Sequence, residues 1–549
     1  MAYVITQNCC RDASCIPACP VDCIRPVGGT AEYLNSHMLY IDPASCIDCG
    51  ACVEECPVDA IHLDTDLPPA QERFKEINAA YFEQHTLTPI TLPPEGKRLS
   101  VKPGSLRVAV VGSGPAGCYA AKELVAIDGV EVDLFERLPT PYGLIRAGVA
   151  PDHQSTKSVV EMFEEVLTHN RVACHFNIEI GRDLSHRDLL AHHHAVVYAA
   201  GTYTGRELGI AGDHLAGNYA AADFVAWYNG HPDHAGDTFD LSGHRAVIVG
   251  NGNVALDVAR VLLMSRNELA ETDIAQHALD ALSDSKINEV VILGRRGLRD
   301  AAFSVAEFLA LGYLDGIDVV VEGADFDGSA DDDHETGLKL QLAQEYVQRP
   351  RASDKRIIFR FMTSPVEIVG TDRVEALRVA SNHLHANGAL SPEVASDSNL
   401  IDTSLILRSI GYKGSPIGGL PYDAIKGVMP NVDGRVITPT GDSLHGTYVT
   451  GWIKRGPQGV IGTNRACAEQ TVARLWEDFN SGVLSRDIDG RDALELLLAY
   501  NDADPIGWAG WHMIDTLERE RGAQESRPRA KFVAVADMIA ATMPWSEDN

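Results

Sequence analysis

With 549 residues, 45% of them hydrophobic and 22% charged, the chain exceeds what one core can hold and points to three or four globular domains. A formal net charge of −31 excludes nucleic acid and anionic membrane as partners, because both are repelled by the field of the whole protein. No run of about 18 apolar residues is available to span a bilayer, and the opening MAYVITQNCC lacks the basic and apolar signature of a secretory signal, so the expected location is the cytoplasm.

Nine of the twelve cysteines precede residue 57, and in a cytoplasmic chain such crowding favours metal over disulfides. The first 66 residues carry ten Asp/Glu against two Lys/Arg, a local charge of −8 that suits an acidic electron carrier facing a basic reductase surface. Cys46-x2-Cys49-x2-Cys52-x3-Cys56-Pro57 is the bacterial ferredoxin run, in which three thiolates hold one cluster and the fourth ligates the other; a structural zinc site is the competing reading. The segment Cys19-Pro-Val-Asp-Cys23-Ile repeats as Cys56-Pro-Val-Asp-Ala60-Ile, which indicates an internal duplication. In that register Cys9 matches Cys46, Cys15 matches Cys52 and Cys19 matches Cys56, while Asp12 stands where the other half has Cys49.

Exchanging the fourth ligands assigns Cys19, Cys46, Cys49 and Cys52 to a 4Fe-4S cluster and leaves Cys9, Cys15 and Cys56 for the other. Three thiolates suit a 3Fe-4S cluster, and an oxygen of Asp12 would make it 4Fe-4S. Cys23 reads as a small buried residue, since its counterpart is Ala60, and Cys10 as an alternative to Cys9.

A connector follows over residues 66–104. It is expected to hold a helix over 69–85 and then a Pro-rich spacer, TLTPITLPPEGKRLSVKPG. As a flexible coil this connector would span roughly 30 to 35 Å and give the tethered unit an effective concentration near millimolar, so docking need not be tight.

LRVAVVGSGPAG reads as a buried strand running into a glycine turn and a helix, and the pattern recurs at RAVIVGNGNVALDVA. Two such units imply two doubly wound nucleotide-binding domains. HHHAVVYAAGT is a strand leaving the first, and GTYVTGWIKRGPQGVIGT is a strand, loop and helix returning to it, which makes the second an insertion. The expected division is 1–65 for the cysteine-rich domain, 105–203 with 415–549 for the first nucleotide domain, and 204–414 for the second. DFDGSADDDHETG reads as an exposed acidic loop, and the part beyond about 485 as mostly helical.

In the first site Gly112, Gly114 and Gly117 let the backbone approach a pyrophosphate at a helix N-terminus. Glu136, 19 residues after Gly117, ends the next strand, where a carboxylate bonds free ribose hydroxyls and repels a 2′-phosphate. In the second site Gly250, Asn251, Gly252, Asn253, Val254 and Ala255 form the turn, and the next strand ends in Arg295 and Arg296, whose guanidiniums suit the 2′-phosphate of NADP. One site selecting against that phosphate and one selecting for it place FAD in the first and NADPH in the second. Beyond the cysteine-rich unit only Cys118, Cys174 and Cys467 remain, with no C-x-x-C pair, so electrons are not handed to a disulfide. The run His192, His193, His194 precedes a buried strand and reads as structural.

From about residue 105 onward the segments VGSGPAG, LPTPYGLIRAGVAPDH, VGNGNVALDVAR, GRRG and GWIKRGPQGVIGTN resemble the NADPH:adrenodoxin reductase family. With the cysteine-rich unit in front, the whole chain is similar to bacterial ferredoxin/ferredoxin-NADP reductase fusions. The resemblance implies an α/β flavoprotein with two dinucleotide-binding (Rossmann-like) domains and an N-terminal α+β ferredoxin domain. It further implies FAD contacts by Ala116, Glu136, Leu144, Ile180, Trp452, Gly459, Val460 and Ile461, and NADPH contacts by Arg206, Asn251, Gly252, Asn253, Val254, Arg295, Arg296, Glu307 and Gly459. His153 corresponds to a histidine near the flavin, a candidate for orienting the cofactor or moving protons. The family's carboxylate three residues past Glu307 is replaced here by Ala310.

The expected activity is that of a ferredoxin-NADP(+) reductase: hydride from NADPH to FAD, then single electrons to the fused clusters and on to acceptors such as a free ferredoxin or a haem-thiolate mono-oxygenase, in a monomer. The rivals are an electron-input module of a larger, glutamate synthase-like NADPH complex, and a non-catalytic iron-sulfur redox sensor.

Overall fold

The structure, a computed structural model, describes all residues except 29, 31, 34, 35, 89–98, 330, 331, 386–389, 394–398 and 544–549. The strand Arg107–Val111 is buried along its whole length, the mark of a central strand in a parallel sheet covered on both faces. It lies between Ala195–Tyr198 and Glu131–Glu136 in a seven-stranded sheet completed by Val172–Phe176 on one side and by Ser443–Val449, Arg435–Ile437 and Asn431–Val432 on the other. Ser443–Val449 returns parallel to Ala195–Tyr198.

The segment between builds a second, six-stranded, wholly parallel sheet in the order Asn218–Ala220, Leu405–Arg408, Arg245–Val249, Glu289–Leu293, Lys355–Arg360, Ile317–Glu322. The chain passes between the two sheets through a two-stranded antiparallel ribbon of Thr204–Gly205 and Tyr412–Lys413. The sequence pattern does not announce a further antiparallel sheet, Thr363–Val369, Ala376–Leu384, Leu390–Glu393 and Asn399–Asp402. Its alternation is broken by Pro365 and an irregularity between Pro365 and Glu367, which hides the period-2 signal.

At the N-terminus Tyr3–Ile5 pairs with Ile61–Leu63 and Ile24–Arg25 with Tyr40–Ile41, both antiparallel. The duplication is visible as two four-residue helices, Cys15–Ala18 and Ala51–Glu54. The helix expected over 69–85 is shorter, Phe74–Gln84, and it is part of this unit rather than of a connector. Phe74, Ile77 and Tyr81 pack into the same core as Val4, Ile5 and Ile41. Asn78 Oδ1 accepts from the Ile5 and Ile41 amides at 3.2 and 2.9 Å, and its Nδ2 donates to the Ile5 carbonyl at 2.9 Å, so one buried amide ties both strand pairs to the helix.

Most of the Pro-rich spacer, 89–98, lies outside the described residues, but its far end is fixed. Val101 N donates to the Asp128 carbonyl at 2.7 Å and Asp128 N to the Leu99 carbonyl at 3.0 Å. The loosely tethered unit expected from composition is corrected by its contacts. The cysteine-rich unit packs on both nucleotide domains, with Cys10, Val58 and Ala60 in the core of the first and with Arg73 bonded to Glu345 of the second at 2.5 and 2.6 Å.

The expected acidic loop stops short, because the helix His334–Gln348 takes its last four residues and is capped by Asp333, whose Oδ1 accepts from Thr336 N at 2.8 Å. The C-terminal part is helical as expected, over Arg491–Tyr500, Trp508–Gln524 and Val535–Ala541. Among the described residues no helix is long and apolar enough to cross a membrane.

Candidate functional site

The two glycine turns are built alike. Gly112 and Gly250 end their strands at φ of 101° and 110°, in the left-handed region that glycine enters without strain. A Cβ on either would lie 2.6 Å from the Ala199 carbonyl oxygen or 2.2 Å from that of Ser409. The helices that follow, Pro115–Val125 and Asn253–Leu263, have no side-chain cap, so their first amides are left for a ligand. Those orphan donors at the positive helix end are what a pyrophosphate takes, and the residues present therefore fit two dinucleotides.

In the first site Gly117 packs the helix start on Gly112 of its own turn, and Gly114 and Ala116 admit other loops close by. A Cβ on Gly143 would lie 3.0 Å from the Gly114 Cα, and one on Gly451 would lie 2.4 Å from the Ala116 Cβ. These contacts set Leu144, the first residue of the helix Leu144–Ala147, and the loop from Trp452 onward beside the turn. Trp452 lies parallel to Tyr412 with ring centroids 6.4 Å apart and donates from Nε1 to the Gln458 carbonyl at 3.1 Å. Gly459 has φ of 81°, and the Val460 carbonyl accepts from Thr463 Oγ1 at 2.6 Å, which folds Gly459, Val460 and Ile461 into a tight loop. Ile180 packs against the core of Val111, Phe135 and Ile178 at the sheet's edge. Glu136 is fixed by Ser113, whose amide and hydroxyl donate at 2.9 and 2.8 Å, and by the Leu138 amide at 3.1 Å.

The second site is more open. Arg295 and Arg296 are both exposed. Arg296 reaches Asp300 at 3.1 Å, whereas the Arg295 side chain has no hydrogen-bond or ion-pair partner among the described residues, so its guanidinium is open to an anion. Asn253 Oδ1 accepts from Ser304 N at 2.8 Å, and Ser304 Oγ caps Glu307 N at 3.2 Å, so the turn of Asn251, Gly252, Asn253 and Val254 is tied to the helix bearing Glu307. Arg206 lies where the chain crosses between domains, its amide donating to the Gly411 carbonyl at 3.1 Å.

His153 stands between the two sites. Arg260 Nη2 donates to its Nε2 at 2.9 Å, so in this arrangement the ring proton sits on Nδ1. Arg260 also binds Asp152 at 2.5 Å and Asp257 at 2.8 Å, and lies 3.6 Å from Glu307, which is 3.9 Å from His153. Burial raises Asp257; burial opposes ionisation of Asp152 too, but Arg260 holds it below the usual carboxylate range. His153, Asp257 and Glu307 offer ligand atoms within 4.8 Å of one another, yet Arg260 already supplies the positive charge among them. Sequence reasoning missed Asp152, Asp257 and Arg260, although all three lie within the quoted segments.

The histidine run is spent on packing. His192 and His193 bond the carbonyls of Asp188 and Leu189 at 2.8 Å, His194 accepts from the Arg107 amide at 2.9 Å, and His193 also faces Asp133 at 3.2 Å.

The cysteines of the N-terminal unit divide into two cavities. Cys19, Cys46, Cys49 and Cys52 line one, with Cys23 beside Cys19 at 3.4 Å. Cys9, Cys15 and Cys56 line the other, with Cys10 and Asp12. Burial pushes the Cys9 thiol up to about 11 and that of Cys52 to about 12, and neighbouring thiolates add to the rise. Thiols crowded this way stay protonated unless a cation compensates them, which is the service iron performs. The donor sets therefore fit iron-sulfur clusters.

The cavity of Cys9, Cys15 and Cys56 abuts the loop of Gly459, Val460 and Ile461, the expected flavin loop. Gly462 N donates to the Cys10 carbonyl at 2.9 Å, Ser158 Oγ to the Pro57 carbonyl at 3.2 Å, and Gln7 Nε2 to Glu307 at 3.3 Å. The other cavity faces outward, with Cys49 exposed and Ile47 at 59% exposure.

Known proteins agree with this geometry. Residues 39–62 match the family described as 4Fe-4S binding domain, and residues 106–292 match the pyridine nucleotide-disulphide oxidoreductases. The chain is 46% identical over 559 residues, 98% of its own length and 95% of the relative's, to a probable ferredoxin/ferredoxin--NADP reductase of Mycobacterium tuberculosis. It is 39% identical over 459 residues, 79% of this chain and 95% of the relative, to the mitochondrial NADPH:adrenodoxin oxidoreductase of Arabidopsis thaliana. The solved structure of Mycobacterium tuberculosis FprA in complex with NADPH superimposes with a TM-score of 0.75 at 39% identity, covering 80% of this chain and all of that one. The chain belongs to the ferredoxin/ferredoxin-NADP reductase family, oxidoreductases with an iron-sulfur domain ahead of a two-nucleotide reductase.

Proposed function

We propose a fixed order for the electron route in this ferredoxin-NADP(+) reductase. Arg295 and Arg296 would hold NADPH and Glu136 would hold FAD, which when bound would supply the chemistry that takes up a hydride and releases its two electrons singly to iron-sulfur clusters. The proximal cluster is 3Fe-4S on Cys9, Cys15 and Cys56, and the distal one is 4Fe-4S on Cys19, Cys46, Cys49 and Cys52. The chain's division follows the sheets, 105–203 and 415–549 for FAD and 204–414 for NADP, with the ferredoxin domain extended by the helix Phe74–Gln84.

One observation carries the order: the Gly462 amide bonds the Cys10 carbonyl, seating one cysteine cavity on the flavin loop while Cys49 of the other is exposed. The side chains do the positioning. Glu136 holds the ribose of the first nucleotide and excludes a phosphorylated one; the arginine pair recruits the phosphorylated one; Arg260 orients His153 between the sites with a proton at Nδ1. The exposed face around Cys49 and Ile47 hands electrons to a ferredoxin or a haem-thiolate mono-oxygenase in the cytoplasm, and the chain works as a monomer.

Anaerobic rapid mixing with NADPH tests this. The flavin absorbance falls first and the cluster absorbance second, with a second rate independent of protein concentration. A second rate proportional to protein concentration would show transfer between molecules and overturn the fixed route.

A further inference from the structure

The internal repeat puts Asp12 where the other half carries the ligand Cys49, and the structure shows what that carboxylate does instead. It is 4% exposed. Its Oδ2 accepts from the Tyr119 hydroxyl at 2.6 Å, and its Oδ1 accepts from the Ser14 amide at 3.2 Å and from the Ser14 hydroxyl, with Arg465 Nη1 at 3.5 Å. Arg465 Nη1 also donates to the Asp12 carbonyl at 3.2 Å and to Ser14 Oγ at 2.9 Å. Tyr119 belongs to the helix that follows the first glycine turn, and Arg465 to the helix Thr463–Asn480 that follows the flavin loop.

Both partners are themselves fixed. Tyr119 is wholly buried and packs edge-on against Phe163 with centroids 4.9 Å apart. Arg465 is braced by Glu469 at 3.1 Å. On the other side Arg11 bonds the Tyr33 carbonyl, and Tyr33 OH donates to the Arg11 carbonyl at 2.5 Å, which pins the loop from within. Turning Asp12 toward iron would strand a buried phenol and a guanidinium without their acceptor, at the cost that unmade buried bonds carry.

We propose that Asp12 is a positioning residue and not an iron ligand: through Tyr119 and Arg465 it clamps the cysteine loop 9–15 to the flavin-binding domain, so that the proximal cluster meets the flavin in one orientation. The clamp rests on the reading that Cys9, Cys15 and Cys56 hold iron, and the position a cysteine would fill is given to docking.

The test uses iron-loaded full-length protein carrying Asp12→Ala, Asp12→Asn, Tyr119→Phe, or Asp12→Ala with Tyr119→Phe. Iron per chain and the low-temperature EPR signature of the oxidised protein stay as in the parent, and NADPH still reduces the flavin at the parent rate. Transfer from flavin to cluster slows roughly ten- to hundredfold in Asp12→Ala and in Tyr119→Phe, the range expected for losing a hydrogen bond to a charged group. The double variant is no slower than the worse single one, and Asp12→Asn recovers part of the rate because its amide oxygen still accepts from Tyr119. Altered iron content or EPR in Asp12→Asn with none in Tyr119→Phe identifies a ligand and overturns the clamp, as does parent-rate transfer in both Asp12→Ala and Tyr119→Phe. Absence of a proximal cluster signal in the parent defeats the cluster assignment instead, so the two failures are told apart.

Discussion

The flavin-binding domain has two junctions, and they are made differently. Its junction with the ferredoxin domain rests on backbone groups, one carboxylate, Asp12, shared between the Tyr119 phenol and the partly exposed Arg465, and a close backbone approach at Gly462. Its junction with the NADP domain rests on buried charge. Lys157 Nζ lies 2.6 Å and Lys531 Nζ 3.0 Å from Asp273, and all three side chains are largely enclosed. The C-terminal segment acts as a strap there, with Arg527 Nε donating to the Thr272 carbonyl at 3.1 Å and Lys531 Nζ to Asn229 at 3.3 Å. A junction of fixed hydrogen bonds suits two partners that need only stay adjacent. A junction of enclosed ions holds two domains firmly, while the arginines of the second nucleotide site stay exposed.

The largest effect is expected at the second junction. Asp273→Asn takes the carboxylate from between two buried lysines, both pushed down by burial and held by that acceptor, and should cost roughly 3–5 kcal/mol, the range for breaking a buried pair from one side, measured by denaturant unfolding with flavin release as a second probe. Asp273 is held well below the usual carboxylate range by the lysines against the pull of burial, so its contribution is present above the unfolded pKa and lost only as the pH falls through the lower folded value. If Asp273→Asn unfolds at the parent's midpoint, the two junctions do not differ as described.

The same contrast predicts that the exposed arginines serve a ligand rather than stability. Arg295→Ala should raise the KM for NADPH roughly tenfold or more, as losing a charge-assisted bond implies, with NADH kinetics and the unfolding midpoint unchanged. An equal loss with NADH would remove the phosphate from the explanation.

At the first junction Gly462→Ala probes steric fit. The added Cβ would lie 2.3 to 2.5 Å from backbone atoms of residues 10–12, an overpacking expected to cost about 1–3 kcal/mol. Limited proteolysis should then release the ferredoxin domain sooner, while the NADP junction keeps its protection.

What the sequence disclosed and what it hid divide along the same line. The glycine turns, Glu136, the arginine pair and the cysteine runs were legible because each is a local pattern whose spacing is dictated by one ligand. The strands Arg107–Val111 and Arg245–Val249 were legible because buried parallel strands are uninterrupted apolar runs. The pairing of Asp12 with Tyr119, of Lys157 with Asp273 and Lys531, and of Gly462 with Cys10 joins residues far apart in the chain, and no spacing rule connects them. A Pro-rich composition likewise describes the spacer itself and says nothing of whether the domains at its ends touch. Asn78 shows the cost of that gap: read as one residue of a connector helix, it is the bond that makes the helix part of the ferredoxin domain.

The smallest expected effect separates the junctions by pH. Glu123 sits on the helix Pro115–Val125 beside the Asp12 clamp, and burial, with Glu469 adding to it, pushes its carboxyl up to about 7 against the opposing pull of Arg465 and Lys122. Its folded pKa therefore exceeds the unfolded value of about 4.3, so the folded chain binds the extra proton. The stability this confers is complete below the unfolded value and is lost as the pH rises through about 7. Glu123→Gln, a permanent imitation of the protonated acid, should stabilise the protein by on the order of 1 kcal/mol at pH 8 and by nothing at pH 4. Unfolding midpoints at the two pH values decide it: a variant less stable than the parent at pH 8 would mean that the Glu123 carboxylate is an attractive partner of Arg465, whose pull then outweighs burial.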